Sequence, residues 1–91
     1  FINTARAELV NEVALLAALR EGRIAGYGAD VLSGEFTSGF EVNAHPLVRH
    51  ALKHDNVLLT PHIAGSTIDA WWETQNKVIE SAIEYFRSWK V

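Results

Sequence analysis

The chain begins with a short apolar run, residues 1–4, that turns polar at Asn3 and Thr4, as the end of a buried strand does. Asn11 follows as a helix cap, and Val13, Leu15, Leu16 and Leu19 repeat at helical spacing up to Glu21, where Gly22 is placed to end the helix in the left-handed conformation. Residues 24–31 mix β-branched residues with Gly and Ala, the composition of a parallel strand packed closely under helices. Residues 32–44 are rich in Ser, Gly, Thr and Asn and read as a long loop of the kind that carries function, ended by His45 and Pro46. Residues 47–54 can form a short helix, and residues 57–60 a third strand, closed by Pro61, which has no N–H to donate. Ser66 and Asp69 read as a capping pair for a long helix over 66–88, in which Ile68, Trp71, Trp72, Val78, Ile79, Ala82, Ile83 and Phe86 recur at three and four residues.

Strand, helix, strand, short helix, strand and helix in that order predict an α/β domain with a parallel sheet. Three strands are few for this class, so further strands are expected as neighbours. The 91 residues suit one small domain of modest core, and 48% hydrophobic with 21% charged residues describe an ordinary globular chain. A net charge of −3 without a basic stripe argues against nucleic acid as a partner. Without cysteine there is no disulfide, thiolate metal site or thiol nucleophile. No apolar run approaches the roughly 20 residues that cross a bilayer, and no membrane partner is expected. Because the chain opens directly on Phe1-Ile2-Asn3, which reads as strand interior, the expectation is a fragment of a longer protein.

In open parallel sheets, ligands gather beyond the carboxyl ends of the strands. The residues there are Thr4, Ala5 and Arg6 after the first strand, Asp30 and Glu35 after the second, and His62, Ile63, Ala64 and Gly65 after the third. A cation, two carboxylates and an imidazole at one edge form a plausible acid–base site.

These segments also carry a resemblance. Ile2-Asn3-Thr4-Ala5-Arg6, Gly28-Ala29-Asp30-Val31 and Thr60-Pro61-His62-Ile63-Ala64-Gly65-Ser66-Thr67 resemble consecutive signature blocks of the D-isomer-specific 2-hydroxyacid dehydrogenases, and residues 15–26 and 56–60 resemble the segments between them. The resemblance covers nearly the whole chain. It implies the C-terminal half of a Rossmann-like NAD-binding domain, of about three parallel strands with flanking helices, whose helix 66–88 leads back towards a substrate domain outside this sequence. It implies an enzyme interconverting 2-oxo acids and D-2-hydroxy acids with NAD, NADP not being excluded, in a cytoplasmic and homodimeric parent protein. By the same resemblance Arg6 holds the substrate, its planar fork suiting a carboxylate. His62 is the proton donor and acceptor, and Glu35 is its acidic partner, a carboxylate beside imidazole favouring the charged form. Thr4, Ala5, Arg6, Asp30, His62 and Gly65 fall on positions lining the nicotinamide end of the cofactor.

The chain departs from the family pattern in places. Ala7 stands where Gly usually follows the arginine, Phe36 stands where Pro is common after the glutamate, and the loop before His45 is longer than usual. Gly26 and Gly28 begin a phosphate-binding pattern, but Val31 occupies the place of its third glycine, so that element is expected upstream along with the substrate domain. The 91 residues alone are therefore expected to be inactive. A different class of function, an NADH-sensing binding or corepressor scaffold of the same superfamily, is compatible with the same residues. His50 and His54, four apart with His45 nearby, read as solvated side chains in preference to metal ligands, since no carboxylate converges with them. Trp71 and Trp72 read as packing or interface residues.

Overall fold

In the computed structural model, which describes residues 1–89, the expected order holds: β1 (Ile2–Asn3), α1 (Glu12–Arg20), β2 (Tyr27–Ala29), α2 (Pro46–Ala51), β3 (Val57–Leu59) and α3 (Ile68–Arg87). The sheet is parallel with order β1-β2-β3, and Ile2, Gly28 and Leu58 share one row while Asn3, Ala29 and Leu59 share the next. This is an α/β fold with a partial Rossmann-like sheet. The strands are shorter than the apolar runs that announce them, because a strand extends only as far as its neighbour and β1 has two residues.

Asn11 caps α1, its Oδ1 accepting from Ala14 N at 3.1 Å, and Gly22 closes it at φ +71. His45 caps α2 through Nδ1, which accepts from Leu47 N, and Pro46 takes the first turn, where its missing N–H has no cost. The cap of α3 differs from the expected Ser66–Asp69 pair. Thr67 Oγ1 accepts from Ala70 N at 3.1 Å, while Ser66 N is held in the preceding turn by Ile63 O, so the helix starts two residues later than the pattern suggests. Short 3-10 turns at Ala7–Leu9 and Val42–Ala44 have no signal in the hydrophobic pattern.

The core lies on one face of the sheet, where Leu15, Leu16 and Leu19 of α1 and Leu47 of α2 pack on Tyr27, Ala29 and Val57. Val13 is not part of it; it is exposed and lines a cleft beside Leu16. Gly26 allows close packing, since a Cβ there would come 3.3 Å from Asn56 O. Among the described residues nothing covers the other face: Ile2 and Leu58 point outward and are 75% and 72% exposed. Parallel sheets are normally covered on both faces. α3 likewise has no buried residue along 20 positions, and Trp71, Trp72, Ile79 and Phe86 are open to solvent. A helix of that length projects about 30 Å, which accounts for a radius of gyration of 18.0 Å where a compact chain of this size gives about 12 Å.

Candidate active site

Parallel strands send the loops that follow them to the same rim, so the tips carrying Arg6, Asp30 and His62 emerge side by side, β1 and β3 flanking β2. Asp30 is the junction. Its backbone N–H donates to Asn3 O of β1, while its buried carboxylate reaches across to the loop after β3. There Oδ1 accepts from Thr60 Oγ1 at 2.6 Å and from Ile63 N at 3.0 Å, and Oδ2 accepts from Ala64 N at 3.0 Å. The Thr60 hydroxyl, together with the two backbone N–H groups, holds this carboxyl below the usual carboxylate range.

Those three bonds fix residues 60–64 on both sides of His62, which has φ +56, in the left-handed region that few residues other than glycine adopt. His62 N donates to Thr60 O, tightening the turn. A backbone in this conformation persists where its surroundings overdetermine it, and the Asp30 clamp does so here. The turn presents the imidazole to Glu35, which arrives from the loop after β2: Nδ1 and Oε1 are 2.6 Å apart. The two side chains are 30% and 18% exposed, sheltered yet open at the rim. With a carboxylate as acceptor, Nδ1 carries the proton and donates. Among the described residues Nε2 bonds to nothing, leaving it available to a molecule outside the chain. Phe36 places its ring 5.2 Å from the imidazole, giving the site an apolar wall where the family pattern has proline.

Thr4, Ala5 and Arg6 are exposed on the same rim. Asn3 shapes their turn, its Oδ1 accepting from Ala5 N and its Nδ2 donating to Arg6 O. Arg6 folds back on its own turn, donating from Nη1 to Ala5 O at 2.7 Å, and makes no bond to Glu35 or His62. Ala7 is buried at the start of the 3-10 turn, its φ outside the left-handed region, so the methyl is accommodated without strain. Gly65 is exposed with open space where a Cβ would stand.

The alignment of these loops with a family model decides the assignment: the model described as D-isomer-specific 2-hydroxyacid dehydrogenase, NAD-binding domain, matches residues 1–64. The chain belongs to that family. It is 35% identical over 92 aligned residues to a D-specific alpha-keto acid dehydrogenase of Enterococcus faecalis, covering 96% of this chain and 28% of that protein. It is 46% identical over 69 residues to a glyoxylate reductase of Thermofilum pendens, covering 76% of this chain and 18% of that one. The chain thus spans under a third of the length of these relatives. Among solved structures it resembles the NAD-complexed D-isomer-specific 2-hydroxyacid dehydrogenase of Lactobacillus delbrueckii ssp. bulgaricus, with a TM-score of 0.59 and 42% identity over 72% of this chain and 22% of that one. It also resembles the Xanthobacter autotrophicus enzyme solved with NADPH and MES, with a TM-score of 0.54 and 45% identity over 70% of this chain and 18% of that one.

Ala5 and Gly65 are small, exposed residues on the loops after the first and third strands, Gly65 three residues beyond His62. The pyrophosphate end of a dinucleotide finds no cradle in the glycines present. Gly26 stands just before β2 and Gly28 lies within it, where a Cβ at Gly28 would lie 3.8 Å from Ile2 Cγ1, and neither opens a helix.

The histidines outside the site divide differently from expectation. His50 is buried at 6% exposure, its Nε2 lying 2.9 Å from Asn56 Oδ1, so the reading of it as solvated is corrected; a short helix lying on β3 turns one face inward. It stacks on His54, ring centroids 4.2 Å apart, and among the described residues no set of three ligands surrounds a metal position. His45 is likewise sheltered, paired with Glu12. The hydrophobic pattern is silent on such polar contacts, His45–Glu12 joining residues 33 apart and His50–Asn56 depending on how α2 lies on β3.

Proposed function

We propose that this chain supplies the acid–base half of an NAD(H)-dependent D-2-hydroxyacid dehydrogenase, acting on small 2-oxo and 2-hydroxy acids as part of a longer protein whose other portions bind the pyrophosphate and select the substrate. The observation that carries the reading is the 2.6 Å His62 Nδ1–Glu35 Oε1 bond beside an unengaged Nε2.

When bound, the nicotinamide would supply the hydride to the carbonyl carbon in reduction. His62 Nε2 gives a proton to the carbonyl oxygen, and in oxidation takes it back from the hydroxyl. Glu35 fixes the ring orientation through Nδ1–H and stabilises the imidazolium. Arg6 releases its exposed bond to Ala5 O and meets the substrate carboxylate with two parallel N–H donors, orienting the carbonyl towards His62. Thr4, Ala5, Asp30 and Gly65 line the nicotinamide side, Asp30 with the carboxylate lone pair that its three donors leave over. A homodimeric, cytoplasmic parent with α3 leading back to a substrate domain belongs to the same proposal, the uncovered apolar face of α3 supporting the contact with a further domain.

The test is to supply the full-length protein with NADH or NADPH and a panel of 2-oxo acids, following coenzyme absorbance. Turnover of at least one, abolished in His62→Asn, is the expected result. Binding of NADH without turnover of any would refute the dehydrogenase and favour a sensor.

A further inference from the structure

Both ends of the loop that delivers Glu35 converge on a single carboxylate. Glu12, in the first turn of α1, accepts from Ser33 N through both oxygens, at 3.2 and 3.1 Å, and its Oε1 lies 3.1 Å from His45 Nε2. Ser33 stands two residues before Glu35, and His45 closes the loop. His45 Nδ1 accepts from Leu47 N at 3.2 Å, so the ring proton is on Nε2 and donates to Glu12. The side chains of Glu12 and His45 are 10% and 8% exposed, so these bonds stand in for water. A buried acceptor left without them is expensive.

The loop between is stiffened in stages. Leu32 is buried in the core, Gly34 turns the chain at φ +77, and Thr37 N donates to Gly34 O, which sets Glu35 within that turn. Further on, Phe40 packs against the core with its ring 6.0 Å from that of His45. The Ser33 bond ties the loop to α1 two residues before Glu35, whose own N–H donates to the O of buried Leu32 at 3.2 Å.

We propose that Glu12, together with His45, is a positioning residue for the Glu35–His62 pair: by tying both ends of residues 33–45 to α1 it sets where the Glu35 carboxylate stands. This rests on the catalytic reading of that pair, but its structural core can be tested apart from turnover. Among the described residues Glu12 makes no hydrogen bond to His62 or Glu35, so it acts through the loop.

In the full-length protein, Glu12→Ala lowers kcat about tenfold with KM for NADH little changed, as expected of a displaced catalytic group. Glu12→Gln, which keeps an acceptor for Ser33 N, recovers most of the loss. Leu16→Ala, buried on the same helix, serves as the stability control and leaves kcat per folded molecule within about twofold. In a Glu35→Gln background Glu12→Ala adds no further loss, because the two act through one pair. Independently of activity, the Nδ1 proton resonance of His62 shifts or broadens in Glu12→Ala and not in Leu16→Ala. If activity falls only with the folded fraction, if the Glu12 and Glu35 losses multiply, or if the His62 resonance is unmoved, the positioning role is refuted. A wild-type protein without turnover fails the dehydrogenase proposal instead, while the resonance still decides the role of Glu12.

Discussion

Replacing Glu35 tests the site at its carboxylate–imidazole pair. Glu35→Gln keeps an oxygen within reach of His62 Nδ1 but removes the charge from a 2.6 Å bond. Hydrogen bonds to charged groups are worth about 1.5–3 kcal/mol and neutral ones about 0.5–1.5 kcal/mol, so the amide gives up about 1–1.5 kcal/mol. If that stabilisation is made chiefly to the imidazolium involved in proton transfer, kcat falls about five- to twelvefold. Partial exposure of both side chains, 30% and 18%, keeps the value towards the lower end. Glu35→Ala gives up the whole bond and loses about 10- to 150-fold. The assay is steady-state reduction of the best 2-oxo acid by the full-length protein, with coenzyme affinity measured separately by fluorescence quenching. Since Glu35 acts through His62, affinity for NADH should hold while kcat drops. A Glu35→Ala enzyme with kcat within about twofold of wild type would show that the carboxylate is a bystander and that the ring is oriented by other means.

Two further substitutions probe the scaffold. Asp30→Asn replaces an acceptor of three hydrogen bonds with a group whose NH2 faces the N–H of Ile63 or Ala64. Because the native carboxyl titrates below its ordinary value, its contribution is fully present above about pH 4 and is lost as pH falls through the depressed native value. Urea unfolding between about pH 6 and pH 2.5 should therefore show a steeper acid decline in wild type than in Asp30→Asn, and parallel curves would contradict the role of that carboxylate. Tyr27→Phe removes a buried hydroxyl that has no hydrogen-bond partner of good geometry among the described residues, Asn3 being its polar neighbour. Burial already pushes that hydroxyl's pKa up. The variant should be about 1 kcal/mol more stable, raising Tm by about 4–8 °C in calorimetry; a lower Tm would mean that the hydroxyl is satisfied in solution.

The sequence by itself determined the order and type of the elements, because each is encoded locally: Leu15, Leu16 and Leu19 repeat at helical spacing, Asn11 caps and Gly22 ends the helix, and Pro61 stops the last strand. The shared rim of parallel strands put Arg6, Asp30, Glu35 and His62 among the candidates, and the family resemblance singled out Arg6, Glu35 and His62. The cap of α3 went astray by one residue because Ser66 and Thr67 carry the same chemistry and only the turn held by Ile63 O chooses between them. Tertiary structure alone decided the contacts between distant residues, Asp30 clamping the turn of His62 and Glu12 joining Ser33 to His45, and it also decided which face of α2 turns His50 inward to nearby Asn56. Local periodicity records which face of an element is apolar. It does not record which polar groups lie within about 3 Å after folding, and that distance is what makes a carboxylate a clamp or a proton-transfer partner.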